Sequence, residues 1–144
     1  RYLDIYAQYP EQVRVQVSIS TMNEEFAKII EPRVAPPKSR LGIISAAKQK
    51  GLKTGIIIAP VFPPVKIRPD VAGDIEDIIS ELSENRPDYI YGEALHIRGS
   101  NVKEVEIALG EEIKLRGFDL RAEKIFYSVL NKHGFTGRWW REHS

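Results

Sequence analysis

An α/β fold made of parallel βα units in series is the architecture this sequence predicts, and three observations carry the prediction. Residues 14–20, Arg14-Val15-Gln16-Val17-Ser18-Ile19-Ser20, alternate polar and apolar side chains with β-branched residues, the pattern of a strand with one buried face. Residues 53–59, Lys53-Thr54-Gly55-Ile56-Ile57-Ile58-Ala59, form a continuous apolar run, as in strands covered on both faces within a parallel sheet. A third strand pattern over 88–97 completes a strand-helix order that occurs three times, and strands joined through helices run parallel with right-handed crossovers. Pattern alone leaves an open sheet and an arc of a barrel both open.

The elements follow in order. After the first strand, Thr21 with Glu24 three residues on reads as a capping pair for a short helix carrying Phe26, Ile29 and Ile30, which Pro32 stops. Beyond Pro36-Pro37, Leu41, Ile44 and Ala47 recur at helical spacing until Gly51, with Lys48 and Lys50 placed favourably for the helix dipole. Pro60, Pro63 and Pro64 are expected to end the second strand in a stiff loop. From Asp70, the positions Val71, Ile75, Ile78, Ile79 and Leu82 make one apolar stripe, closed before Pro87. The third strand runs into a turn at Arg98-Gly99-Ser100-Asn101, with a helix expected over 102–115. Ala122, Ile125, Phe126, Val129 and Leu130 define a last helix ending at Gly134, followed by a polar and aromatic tail, 135–144.

Composition narrows the function classes. A chain of 144 residues with 42% hydrophobic and 28% charged residues is long enough for one buried core, and no run of about 18 apolar residues is present to span a membrane. The start, Arg1-Tyr2-Leu3-Asp4, has no basic segment leading into an apolar run, so a cytoplasmic address is expected. The absence of cysteine excludes disulfides, thiolate nucleophiles and cysteine-held zinc or iron-sulfur sites within these residues. A net charge of +1 provides no general basic field, although Lys132, His133, Arg138, Arg141 and His143 crowd around Trp139-Trp140.

Several common site types find no support. There is neither a Gly-x-Gly-x-x-Gly nor a Gly-x-x-x-x-Gly-Lys-Ser/Thr pattern. His96, His133 and His143 lie on separate segments without metal-ligand spacing, so no protein-bound metal is expected. Glu111-Glu112, adjacent on an expected helix, point in different directions and do not form a catalytic acid pair.

One resemblance goes further. The stretches Val17-Ser18-Ile19-Ser20-Thr21, Glu31-Pro32, Ala35-Pro36-Pro37, Ser39-Arg40-Leu41 and Ile58-Ala59-Pro60-Val61-Phe62-Pro63 resemble, in order and spacing, the middle of radical S-adenosylmethionine enzymes. The group concerned is that of spore photoproduct lyase and the DNA repair photolyase-like proteins, and the likeness covers roughly residues 3–100. It implies parallel βα units forming part of an incomplete (β/α)6 TIM-like barrel, with about the fourth to sixth strands in this chain. Residues 1–100 would then be the C-terminal half of the partial barrel, and 101–144 a helical extension with a Trp/Arg tail in the same domain. The resemblance also implies a 4Fe-4S cluster on three cysteines upstream, after the first barrel strand. Those cysteines are missing from the 144 residues, so a cluster-binding segment becomes an implied partner and the chain is not expected to be active alone.

Sites in parallel sheets and barrels form at the C-terminal ends of the strands, and this points to particular residues. For S-adenosylmethionine the candidates are Ser18 and Ser20, whose hydroxyls both donate and accept, Arg40 as a carboxylate clamp, Glu31 as its holder or as a ligand of the amino group, and Pro60 with Pro63 where the resemblance implies the wall of the adenine pocket. Each has a structural alternative: capping or buried serines, a plain ion pair, a strand-ending proline. Alternation along the third strand places Glu93 opposite His96 and Arg98, and the latter pair is the candidate substrate contact. The tail Arg138-Trp139-Trp140-Arg141 has a composition that stacks on bases, or equally packs on the barrel.

The function these expectations add up to is the C-terminal part of a radical S-adenosylmethionine, lyase-like enzyme, with a nucleic acid lesion as substrate by analogy only. The alternative is a non-catalytic half-barrel that serves as a binding or assembly module. It would associate with itself, as a homo-oligomer, through exposed edges of the first and third strands.

Overall fold

Four parallel strands in the order in which they occur in the chain form the sheet of the computed structural model, which describes residues 2–9 and 11–141. The element order is α1 (Tyr2–Tyr6), β1 (Arg14–Ile19), α2 (Glu24–Ile30), α3 (Pro37–Gln49), β2 (Lys53–Val61), α4 (Val71–Glu81), β3 (Tyr89–Ala94), α5 (Asn101–Leu109), α6 (Phe118–Lys132) and β4 (Arg138–Trp140). Strands alternate with helices throughout, and the fold is a partial TIM-like barrel. His143 of the basic tail lies outside the described residues.

One face of the sheet is buried under helices. Val17 and Ile19 of β1, Ile56 and Ile58 of β2, Ile90 of β3 and Trp139 of β4 share a core with Leu41 and Ile44 of α3, Ile75 and Ile78 of α4, and Ala122, Phe126 and Leu130 of α6. Gly92 in β3 permits this packing, because a Cβ there would come within 2.7 Å of both Phe126 and Trp139. A second cluster, Phe26, Phe62, Val65, Leu95, Val102 and Ile113, is built from the segments that follow the C-terminal ends of β1, β2 and β3.

The structure departs from the sequence pattern at five places. The cap of α2 is Asn23, whose side chain accepts from the Phe26 amide, while the Thr21 hydroxyl accepts from the Asn23 amide at 3.0 Å and donates to Asp74. β2 does not stop before Pro60 but continues to Val61, with a cis Ala59-Pro60 bond and a register shift against β3 between Ile58 and Val61. β3 ends at Ala94, not at Ile97, so strand alternation no longer governs residues 95–98. The helix expected over 102–115 closes at Leu109, where Gly110 takes the left-handed φ of 69°. The third strand is not an edge: β4 pairs with it through Tyr91, Gly92 and Glu93, leaving β1 and β4 at the two borders of the sheet.

Candidate functional site

The sheet face opposite the helices is uncovered. Register places Gln16, Gly55 and Tyr89 in one row across it, and Ser18, Ile57, Tyr91 and Arg138 in the next. At the N-terminal end of this face, Tyr89 lies over Gly55, where a Cβ would meet the outer end of its ring, and donates from its hydroxyl to Gln16 Oε1 at 2.7 Å. Tyr91 packs against Tyr89 with ring centroids 5.1 Å apart, and Arg14 lies 5.9 Å from the Tyr89 ring. Towards the C-terminal ends the face carries Ser18, Ile57, Ala59, Glu93 and Trp140, the end where parallel sheets build their sites.

At the end of β1 the candidate residues separate into two kinds. Ser18 is exposed on the open face. Ser20 is buried, and its hydroxyl donates to the Ala59 carbonyl at 3.1 Å, tying the end of β1 to β2 just before Pro60. Arg40 is also buried and spends its fork on the protein: Nε donates to the Ala35 carbonyl at 3.1 Å, one terminal nitrogen to the Ser18 carbonyl at 2.7 Å, the other to Glu31 Oε2 at 2.7 Å. Arg40 and Glu31 thus hold the 31–37 loop against the strand end. Both border a cleft of about 240 Å³ whose other walls include Ala27, Val34 and Pro36.

At the end of β3 the structure brings together residues that strand alternation would separate. Because the strand stops at Ala94, the chain turns and both His96 and Arg98 approach Glu93: His96 Nε2 is 3.8 Å and an Arg98 terminal nitrogen 3.5 Å from Glu93 Oε1. Asn101 shapes this turn by accepting from the Arg98 amide at 2.8 Å and donating to the His96 carbonyl at 2.9 Å. Trp140 at the end of β4 closes the group, its ring edge-on to His96 at 5.7 Å. Trp139 points the other way, into the core, and donates from its indole nitrogen to Asp119 at 2.8 Å. Trp139 thus packs in the core, while Trp140 is part-exposed beside His96.

Sequence reasoning missed a buried polar group beneath the strand ends. Asp74, on the first turn of α4, accepts from the Thr21 hydroxyl and from the Met22 amide, the latter at 2.7 Å. Arg68 pairs with Asp74 at 3.2 Å, donates to the Phe62 carbonyl at 2.7 Å and lies 5.4 Å from the Phe26 ring. Both side chains are more than nine-tenths buried. Burial pushes the Asp74 carboxyl up from its ordinary range, against the opposing pull of Thr21, Met22 and Arg68. Burial likewise draws the Arg68 guanidinium down, with Asp74 and Asp70 opposing. An open cleft of about 420 Å³ beside them is lined by Asp70, Gly73 and Asp77 among others. Asp74 could be anticipated only as a polar interruption of the apolar stripe of α4.

The donor set does not fit an iron-sulfur cluster, since the chain has no cysteine, and among the described residues no three His, Asp or Glu side chains gather to hold a metal ion. No helix of the described residues is long and apolar enough to cross a membrane.

No protein-family model matches the chain. Over 141 residues, 97% of its length, the chain is 47% identical to the uncharacterized protein ORF301 of Acidianus two-tailed virus, of which it covers 47%. An uncharacterized protein of Mycobacterium tuberculosis is 26% identical over 102 residues, which is 69% of this chain and 29% of that protein. The chain thus spans about half the length of the viral relative and less than a third of the mycobacterial one. Among solved structures it is similar to a spore photoproduct lyase double mutant with bound AdoMet and dinucleoside spore photoproduct. The TM-score is 0.62, over 88% of this chain and 43% of the lyase. At 11% identity that likeness is one of fold.

Proposed function

We propose that this chain forms part of a radical S-adenosylmethionine enzyme, supplying the barrel wall that meets the cofactor's nucleoside and part of the substrate cavity. The observation that carries the reading is the position of Ser18, exposed beside the Ser20–Ala59 seam at the strand ends, in a chain whose fold follows a lyase with AdoMet bound. In this reading the Ser18 hydroxyl bonds the ribose or carboxylate, and Ala59 with Pro60 forms an apolar wall for the adenine. Ser20, Glu31 and Arg40 serve by holding the strand end in place, since their polar atoms already engage the protein. His96 and Arg98, joined by Glu93 and Trp140, face the substrate. A 4Fe-4S cluster, for which this chain offers no ligand, would be held on a segment other than these residues and would supply, with S-adenosylmethionine, the radical chemistry. A nucleic acid substrate is the extension by analogy, supported by the exposed Tyr91, Arg138 and Trp140.

The test is calorimetric titration of S-adenosylmethionine into the full encoded protein after anaerobic reconstitution with iron and sulfide. Binding is expected, and Ser18→Ala should weaken it several-fold, the worth of one hydrogen bond. Arg40→Ala is a poorer probe, because it also strips Glu31 and two carbonyls of their donor. No binding and no cluster in the reconstituted protein would overturn the reading.

A second reading, the self-associating assembly module, is favoured by one observation: among the described residues β1 borders the sheet with no strand on its outer edge. It expects a concentration-dependent dimer in sedimentation equilibrium and no affinity for the cofactor.

A further inference from the structure

Two loops, residues 20–23 after β1 and residues 62–69 after β2, lie at the ends of the strands that carry Ser18, Ser20 and Pro60. Backbone pairing does not join them to each other. What joins them is a set of side chains centred on the first turns of α4. Asp74 takes the Thr21 hydroxyl and the Met22 amide from the first loop. Arg68, from the second loop, pairs with the same carboxylate and returns to its own loop at the Phe62 carbonyl. Asn23 adds a further tie, donating to the Ile67 carbonyl at 3.1 Å, and Phe26 meets Phe62 edge-on at 5.2 Å.

A buried ion pair of this kind is a poor source of net stability, because desolvating both charges offsets most of their attraction. Its value lies in geometry: removing one partner leaves a buried charge without compensation, so the arrangement tolerates a single set of loop positions. Arg68 sits at 4% exposure, held by its ion pair with Asp74, its bond to the Phe62 carbonyl and its contact with the Phe26 ring. Ser20 completes the path to the open face by bonding the Ala59 carbonyl, one residue before Pro60.

We infer that Thr21, Arg68 and Asp74 act together as positioning residues that fix the β1 and β2 end loops relative to each other, and so set the spacing between the strand ends at Ser18 and Pro60. The loop coupling stands on geometry alone, while its consequence for ligand binding rests on the function proposed above. Neither Arg68 nor Asp74 needs to touch a ligand for this role.

Amide hydrogen exchange on this chain tests the coupling without any ligand. Thr21→Val keeps the shape and removes the hydroxyl. It is expected to speed exchange at least tenfold at the Val65 and Arg68 amides, more than forty residues away in sequence, while Ile90 in β3 keeps its wild-type protection. Unchanged exchange at Val65 and Arg68, or an equal rise at all three amides, would overturn the inference. Should Thr21→Val fail to fold, Arg68→Lys keeps the cation but loses the fork, and faster exchange at Met22 is then the expected result, with unchanged exchange the contrary one. Calorimetry on the reconstituted full protein separates the two claims. Wild-type binding that falls about tenfold in Thr21→Val and returns in Thr21→Ser supports both. Equal binding by wild type and Thr21→Val overturns the positioning role alone, and no binding by wild type overturns the cofactor reading and the role built on it.

Discussion

A methyl group at Gly92 would sit 2.7 Å from Phe126 and Trp139, whereas one at Gly55 would strike only the tip of the Tyr89 ring. Phe126 and Trp139 are core residues with no room to retreat, while Tyr89 is half-buried on an open face and can swing outward. Gly92→Ala is therefore expected to cost about 1–3 kcal/mol by overpacking. Gly55→Ala should cost about 1 kcal/mol, the bond from Tyr89 to Gln16. Urea denaturation of the two variants checks the order. Arg40 shows where residue-scale reading stops. Its place in the Ser39-Arg40-Leu41 stretch was legible, but its partners were not, because Ala35 and Ser18 offer backbone carbonyls that every residue carries. Local spacing shows Thr21 only beside the start of α2, where its hydroxyl accepts from the Asn23 amide; the bond to a carboxylate 53 residues away leaves no local signal.

Asp88 holds two elements together at the start of β3: its carboxylate accepts from the Thr54 amide of β2 at 2.7 Å and from Lys48 of α3 at 2.8 Å. Burial pushes this carboxyl upward, but the Lys48 and Thr54 bonds outweigh it and hold the group below the usual carboxylate range. The folded chain then binds fewer protons at Asp88 than the unfolded chain does. Its stabilising contribution is present above the unfolded value, about 4, and is lost as pH falls through the lower folded value. Asp88→Asn is expected to lower stability by about 1 kcal/mol at neutral pH, with the gap to wild type closing in acid. Thermal melts of both proteins across that range measure it. The long periodic elements were legible because apolar stripes such as that of α4 are repeated over several turns. α1 and β4 were not, since five and three residues respectively are too few to show a period. β4 is a strand because Trp139 finds the pocket left by Gly92, a tertiary cause.

At the scale of the molecule, the helix side of the sheet is closed and the other side presents Tyr91, Ile57, Ser18, Arg138 and Trp140 to solvent. An α/β chain with one bare sheet face is expected to bind hydrophobic dye on that face, and Tyr91→Glu should reduce the binding without unfolding the protein. A spectrofluorimetric titration distinguishes this from dye uptake by α1, whose Tyr2 and Ile5 are also exposed. The sheet order has a further consequence. Each strand lies beside the one made just before it, so no strand must wait for a later one to find its neighbour. On the ribosome, β1 and β2 can pair while α4 is still in the exit tunnel, and the growing sheet always has its newest border towards the segment still to be synthesised. The border beside β3 stays open until Trp139 emerges, so burial of that indole beside Asp119 is an optical mark of β4 docking.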